Sequence, residues 1–317
     1  MRQILGAIGR VLVTVGILVL LFVAYQLWGT GIYEAQAQSR LESQFKEHQQ
    51  QHQRRTSRTT TTTTSPATST TSTLPPTTTL APMAPPKNGD AVAHITIGKI
   101  GLDAYVVEGV DVENLRQGPG HYPGTPFPGQ EGNTAIAGHR TTYGAPFGDL
   151  DQLGPGDEIG FETVQGTFRY QVDQAPFAVD PTDRDVLNPH SDDARPGHDL
   201  ATLTLTTCNP KYSASQRLIV TATLIKPAEQ APLPPTPPPP TKTARGPTLA
   251  ISGLSGETSS RTPAVLWGLI VLAVGALWWL IFHRHPSWRT WIVGAIPFLA
   301  VLFVFYTYFE RVLPANY

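Results

Sequence analysis

Three long apolar runs, at residues 11–28, 264–282 and 291–309, stand apart from the rest of the chain. Each is long enough, as a helix, to cross most or all of the roughly 30 Å hydrocarbon core of a bilayer. The first is broken only by Thr14, Gly16 and Gln26, follows Arg2 and Arg10, and ends near Tyr25 and Trp28, aromatic types that favour a membrane interface. It exceeds a signal-peptide core in length, and Ala35-Gln36-Ala37 is only a weak cleavage site, so it reads as an uncleaved anchor. The loop between the second and third runs, His283-Arg284-His285-Pro286-Ser287-Trp288-Arg289, is short and basic. Basic residues at the amino end and in this loop put both in the cytoplasm and everything between the first two runs outside.

Between those runs the pattern changes twice. Residues 36–53 are polar, with Leu41 and Phe45 the only large apolar i,i+4 pair, the mark of a frayed helix at most. Residues 56–86 form a Thr/Ser/Pro tract with six consecutive threonines, too poor in apolar surface to fold. Extended, its 56–81 portion reaches roughly 80 Å, which suits a stalk through an extracytoplasmic wall. From residue 91 to 225 short β-type runs recur, at 94–97, 104–107, 134–137, 158–161, 167–172, 201–206 and 218–224, with Gly and Pro clustered between them. Short helices are expected at 112–116 and 147–153. Many short strands with Gly/Pro turns point to an all-β barrel or sandwich, and about 135 residues suffice for one core. A second Pro-rich linker precedes the last two apolar runs. The expected domains are therefore an anchor (1–30), a disordered linker (31–90), a catalytic domain (91–227), a Pro-rich linker (228–262) and two C-terminal spans (263–317).

Composition narrows the chemistry. A net charge of −1 argues against a general nucleic-acid binder, and a single cysteine excludes an internal disulfide framework or a multi-cysteine metal site. That cysteine, Cys208, ends the alternating run Thr202-Leu203-Thr204-Leu205-Thr206-Thr207, the period of a half-buried strand. Asn209-Pro210 closes the strand, residues 211–215 are polar, and a second strand begins at Arg217. Paired as neighbours, the two strands bring thiol and guanidinium to one rim, where the cation favours thiolate. Lone cysteines are more often small buried hydrophobes, but a strand-end cysteine beside a cation departs from that pattern. Among the histidines of the domain, His139 ends the strand 134–137 just after Gly138, which permits close backbone approach. His121, in a turn-rich segment, is its competitor, whereas His94 lies early in a strand and His190 and His198 in an Asp/Pro/Gly-rich surface loop. Cysteine with a distant histidine is an activated-nucleophile arrangement, and a nearby arginine fits a developing oxyanion. The pair His283/His285 reads as part of a basic loop rather than as metal ligands, and no metal or cofactor is expected.

The set Thr204-Leu205-Thr206-Thr207-Cys208, Arg217 nine residues on, and Ala137-Gly138-His139-Arg140 upstream resembles the sortase signature. The resemblance extends through Ile97-Gly98-Lys99-Ile100, Gly118-Pro119-Gly120-His121-Tyr122-Pro123-Gly124-Thr125 and Gly132-Asn133. Through residues 138–147 and the run after Cys208 the chain looks most like the class E sortases of high-GC Gram-positive bacteria. The resemblance implies a closed eight-stranded β-barrel with short helices, to which the sequence adds three transmembrane helices. It places catalytic roles on His139, Cys208 and Arg217 and substrate contacts on Tyr122, Thr206 and Thr207. It also implies a membrane-anchored cysteine transpeptidase that cleaves an L-[PA]-x-T-G sorting motif between Thr and Gly. Its partners would then be surface proteins bearing that signal and a peptidoglycan-precursor amine. Two departures matter: the C-terminal spans are like those of pilin-polymerising sortases, yet no Asp-Pro-aromatic lid motif precedes the domain. The remaining alternatives are a pilin polymerase and a non-catalytic scaffold that only binds sorting peptides. An L,D-transpeptidase is disfavoured, because its His-Gly-Cys-like run is missing.

Overall fold

The computed structural model describes residues 2–61, 86–183, 185–188, 201–225, 261–282 and 288–312. The chain divides into two compact units. One contains helix α1 (Arg2–Ala24), a π-helical turn (Tyr25–Gly29), and helices α4 (Arg261–Phe282) and α5 (Trp288–Val312). Three helices among the described residues are long and apolar enough to cross a membrane, with spans inside Leu12–Arg54, Arg261–Ile281 and Ile292–Glu310. Within this unit α4 and α5 interlock, the rings of Phe298 and Phe305 lying over Gly275 and Gly268. Each member of those pairs recurs after seven residues, so small and large positions alternate along one seam. His190, His198, His283, His285, and most of both Pro-rich tracts fall outside the described residues.

The other unit holds the rest of the helix leading from the first span, α2 (Thr30–Thr61), and all the described strands. These are β1 (Ala91–Ile97), β2 (Leu102–Glu108), β3 (Gly120–His121), β4 (Gly132–Ala137), β5 (Glu158–Thr163), β6 (Gly166–Val172), β7 (Phe177–Val179), β8 (Ala201–Asn209) and β9 (Gln216–Leu224), with a one-turn helix α3 (Val112–Leu115) after β2. The order β6-β5-β1-β2-β3-β4-β8-β9 closes on itself through β9–β6 pairing, which makes an eight-stranded barrel, and β7 continues the β6 side along the other half of β9. Closure removes the free edges that an open sheet would expose. Ile95, Ile136, Phe161, Tyr170, Leu203, Leu205 and Ile219 are almost wholly buried. Burial of each such side chain contributes about 1.5–3 kcal/mol. Most pairings are antiparallel, but β2–β3 and β4–β8 are parallel.

Two sequence expectations change here. The strand 201–206 is not half-buried: Thr202, Thr204 and Thr206 are as buried as the leucines between them. Their outward face is covered, and their hydroxyls are satisfied there. Thr204 Oγ1 donates to Asn133 Oδ1 at 3.0 Å and to the Val186 carbonyl at 3.1 Å, below the short 3₁₀ turn Asp185–Leu187. Secondly, the stretch assigned to a disordered linker from residue 31 begins with an ordered helix. Ala37, Leu41 and Phe45, spaced by four, form one narrow buried stripe, of which Leu41 and Phe45 pack on Ala91, Val107 and Tyr105. Gln38 anchors the stripe: its amide accepts from the Tyr105 backbone N–H at 2.6 Å and donates to the carbonyls of Tyr105 (3.0 Å) and Gln117 (2.8 Å).

Candidate active site

The β8–β9 hairpin sets the first geometric fact. Cys208 and Arg217 are directly paired across it, and Arg217 Nη1 lies 3.9 Å from Cys208 Sγ. The same Nη1 donates to the carbonyls of Ala214 (3.2 Å) and Gln216 (3.1 Å), which fixes the guanidinium. The parallel β4–β8 pairing sets the second. Ala137 is opposite Thr206, and Gly138 N–H donates to the Thr206 carbonyl at 3.1 Å. His139 and Cys208 each lie two residues beyond that pair, so both strands deliver their reactive side chain to one rim of the barrel. Gly138 is required at this exit, since a Cβ there would come within 2.6 Å of the Phe147 ring.

Thr207 donates its hydroxyl to the Gly138 carbonyl at 2.8 Å, joining the two strand ends. Thr206 Oγ1 lies 3.1 Å from the Tyr122 hydroxyl, and both side chains are buried. Tyr122 is close enough for its phenol to feel the charges of Arg217 and Cys208, and burial raises its pKa. The six residues proposed from sequence therefore come together around one strand end. His121 is engaged by a separate set of partners. Its Nδ1 lies 2.7 Å from Glu108 Oε2, its Nε2 is near the Pro126 carbonyl (3.1 Å) and the Thr125 hydroxyl (3.0 Å), and its ring stacks on Phe127. His94 pairs with Asp103 at 2.7 Å.

Burial dominates the electrostatics. Cys208 and His139 are only 4% and 3% exposed. Burial drives the Cys208 thiol up to about 11, against the opposing pull of Arg217 and then Arg140. It drives His139 down to about 3, and the charge of Arg116 pushes the same way. In this closed form the resting pair at neutral pH is thus a thiol and a neutral imidazole, with the proton on sulfur.

Three further residues surround the pair. Arg140, only 5% exposed, donates to the Cys208 carbonyl (3.0 Å) and Asn209 Oδ1 (2.8 Å) and pairs with Asp151 at 3.2 Å. It links the histidine-bearing loop to the backbone of the cysteine. Tyr143 lays its ring over His139 with centroids 5.1 Å apart, and Arg116 stacks on Tyr143 at 5.7 Å. Arg140 stood inside the Gly-His-Arg run but carried no role in the sequence reading. Tyr143 stood inside the run 138–147 that carries the resemblance but was given no role, and Arg116 had no local signal. Tyr143, Gly144 and Ala145 have φ of 50°, 72° and 46°. A bulky residue in that region costs of order 1–3 kcal/mol, so the loop is held by its surroundings.

Residues 95–225 match the family model for the sortase domain. The chain belongs to the sortase family. Over 234 residues it is 30% identical to Sortase SrtE1 of Streptomyces coelicolor, an alignment covering 69% of this chain and 57% of that protein. It is 30% identical over 125 residues to Sortase D of Bacillus subtilis, covering 39% and 58%. The chain thus spans little more than half the length of these two relatives. A solved structure of sortase E from Streptomyces avermitilis is 39% identical, covers 44% of this chain and 91% of that one, and has a TM-score of 0.38. The corresponding values for the SrtF sortase from Corynebacterium diphtheriae are 31%, 48%, 95% and 0.42.

Proposed function

We propose that this protein is a membrane-anchored cysteine transpeptidase with its barrel outside the cytoplasm, acting on an L-[PA]-x-T-G sorting motif. One observation carries the reading: Arg217 lies 3.9 Å from the sulfur of Cys208 at the rim where β4 delivers His139. A buried cysteine kept only for packing has no use for a buried arginine fixed beside its sulfur.

The chemistry follows from that geometry. As the Thr carbonyl of the motif arrives, His139 takes the thiol proton and Sγ bonds to the carbonyl carbon. The developing oxyanion faces Arg217, whose charge persists throughout and whose donors are already fixed. Collapse breaks the Thr–Gly bond, and imidazolium returns its proton to the departing glycine amine, leaving a thioester. An incoming amine, of a peptidoglycan precursor in this reading, attacks the thioester while neutral His139 accepts its proton, and the thiolate leaves and is reprotonated. Because both resting groups are uncharged, the proton moves from sulfur to imidazole only as the carbonyl is attacked.

The test is cleavage of fluorogenic L-A-x-T-G and L-P-x-T-G peptides by the full-length protein in detergent, with a diamine acceptor and mass spectrometry of the product. Cleavage at Thr–Gly with Thr joined to the amine is expected, and is lost in Cys208→Ala. Tight peptide binding without cleavage would replace the enzyme by the binding-scaffold reading. Products in cells that are covalent protein ladders rather than wall-linked monomers would point to pilin polymerisation. The topology is tested by reporter fusions, which should read outside after Gln36 and Pro227 and inside within residues 284–289.

A further inference from the structure

We propose that Tyr33, on the helix that leaves the first apolar span, is a positioning residue of the active site, holding Tyr143 against the imidazole of His139. The proposal rests on the role assigned above to His139.

The contacts form an unbroken series. Tyr33 meets Tyr143 edge to face with ring centroids 6.2 Å apart, and Tyr143 covers His139 at 5.1 Å. Arg116 holds Tyr143 by a cation–π contact, and Glu113 fixes Arg116 at 2.7 Å. One residue on from Tyr33, the Glu34 carboxylate lies over Gly144, 2.8 Å from where a side chain there would begin. The loop thus meets α2 at two successive positions, at the segment whose backbone is strained (φ 50°, 72° and 46°). A strained loop keeps its shape only where neighbours over-determine it. Arg116 and α2 are among the neighbours that press on this one, besides the loop's own backbone hydrogen bonds.

The helix is also built to stay in place. Gln38 makes three hydrogen bonds to the backbone of Tyr105 and Gln117, and a side chain at Gly118 would occupy the place of the Gln38 amide. Leu41 and Phe45 are 2% exposed beneath the helix. None of these contacts is needed to close the barrel, since α2 contributes no strand to it. What they do is bring Tyr33 to the loop after His139. The charged and titratable groups gathered around His139 include Arg116 from the turn after α3, Arg140 and Tyr143 in its own loop with Asp151 paired to Arg140, Tyr33 and Glu34 of α2 behind Tyr143, and Cys208 of β8 with Arg217 of β9.

The experiment compares Tyr33→Ala, Tyr33→Phe and Gln38→Ala with wild type in the full-length protein in detergent. Tyr33→Ala and Gln38→Ala should each lower kcat about tenfold with KM little changed, because small misplacement of a reacting group is costly while peptide contacts remain. Tyr33→Phe keeps the ring and should keep at least half the wild-type kcat, and the thermal midpoints of both Tyr33 variants should stay near wild type, whereas Gln38→Ala, which strands its backbone partners, should melt lower while remaining folded. A second readout needs no turnover. With 13C-labelled histidine, the His139 signal, assigned by its loss in His139→Gln, should not titrate between pH 8 and 5 in wild type but should titrate in Tyr33→Ala. If wild type cleaves no peptide, the transpeptidase reading fails, while the titration still tests the contact. Wild-type kcat and an unchanged titration in Tyr33→Ala and Gln38→Ala would overturn the proposal. A raised kcat would overturn it too, making the helix an occluding strap.

Discussion

Two buried histidines end neighbouring strands of the same barrel, and their surroundings are opposite. His121, on β3, has an oxygen within hydrogen-bond distance of each ring nitrogen, a carboxylate among them, and an aromatic ring on its face. His139, after β4, packs under Tyr143 with Thr142 Oγ1 at 3.4 Å from its Nδ1, and the cation of Arg116 acts on it. The first arrangement spends the imidazole on stability. The second keeps it neutral and buried at the strand end beside the one that carries Cys208, the setting the proposed proton transfer needs. Position at a strand end does not separate the two roles; the partners of the ring nitrogens do.

The sharpest way to break this contrast is to remove each ring in turn. His139→Ala should cut kcat by about 10³-fold, as for loss of a general acid–base group, with the thermal midpoint nearly unchanged. His121→Ala should do the reverse, leaving kcat close to wild type but costing about 3 kcal/mol, because it strands the Glu108 carboxylate. Equal activity losses in both variants would erase the distinction. Next in size is Arg217→Lys, which keeps the charge and loses the planar fork. A drop on the order of 10²-fold in kcat marks an oxyanion donor. Near-wild-type kcat would reduce Arg217 to a charge acting on the thiol.

Arg140→Lys should have a smaller effect, roughly tenfold in kcat. Lysine cannot reach the Cys208 carbonyl, Asn209 and Asp151 together, and a buried carbonyl left unpaired costs about 1–3 kcal/mol. Differential scanning calorimetry and peptide cleavage on one preparation would check both parts. The smallest effects lie in pH. The His139 pKa is lowered from 6.5 to about 3, so below pH 6.5 the unfolded chain takes up that proton first and the contribution of His139 falls as pH drops, by about 2 kcal/mol at roughly pH 5. Burial raises Glu34 from 4.5 to about 7, which acts in the opposite sense over the same range, so the His139 contribution is read as the difference between wild type and His139→Gln. Cys208 is raised from 9.0 to about 11, so above pH 9 the unfolded chain ionises first and stability falls as pH rises toward 11. His139→Gln should flatten the acid limb alone and Cys208→Ala the alkaline limb alone. Thiol alkylation should likewise climb without a plateau until pH approaches the thiol value.

Much of this was legible in the chain. The alternation before Cys208 and the polar break at residues 209–215 predicted a hairpin, and the pairing of Cys208 with Arg217 follows from its register. The strands β3 and β7 were missed because two or three residues carry no readable period. The burial of Thr204 was illegible because what covers it, the Val186 carbonyl and Asn133, is distant in sequence. The docking of α2 was hidden for a related reason. Leu41 and Phe45 are a weak stripe by themselves, and the decisive contact, Gln38 on the Tyr105 backbone, spans 67 residues and involves a polar side chain. Tyr143 was invisible because its effect depends on a left-handed backbone that neither Tyr nor Ala advertises.

The parallel pairing of β4 with β8 has a consequence for how such a barrel can diversify. Parallel neighbours leave the sheet at the same end, so the loops that follow them, residues 138–149 and 210–215, both open beside the thiol. Their starting points are bolted together by Thr207 on Gly138 and by Arg140 on the Cys208 carbonyl. Insertions farther along either loop can therefore remodel what enters the rim without disturbing the spacing of sulfur, imidazole and guanidinium. The barrel acts as a fixed mount, and new specificities can be tried on two interchangeable fittings.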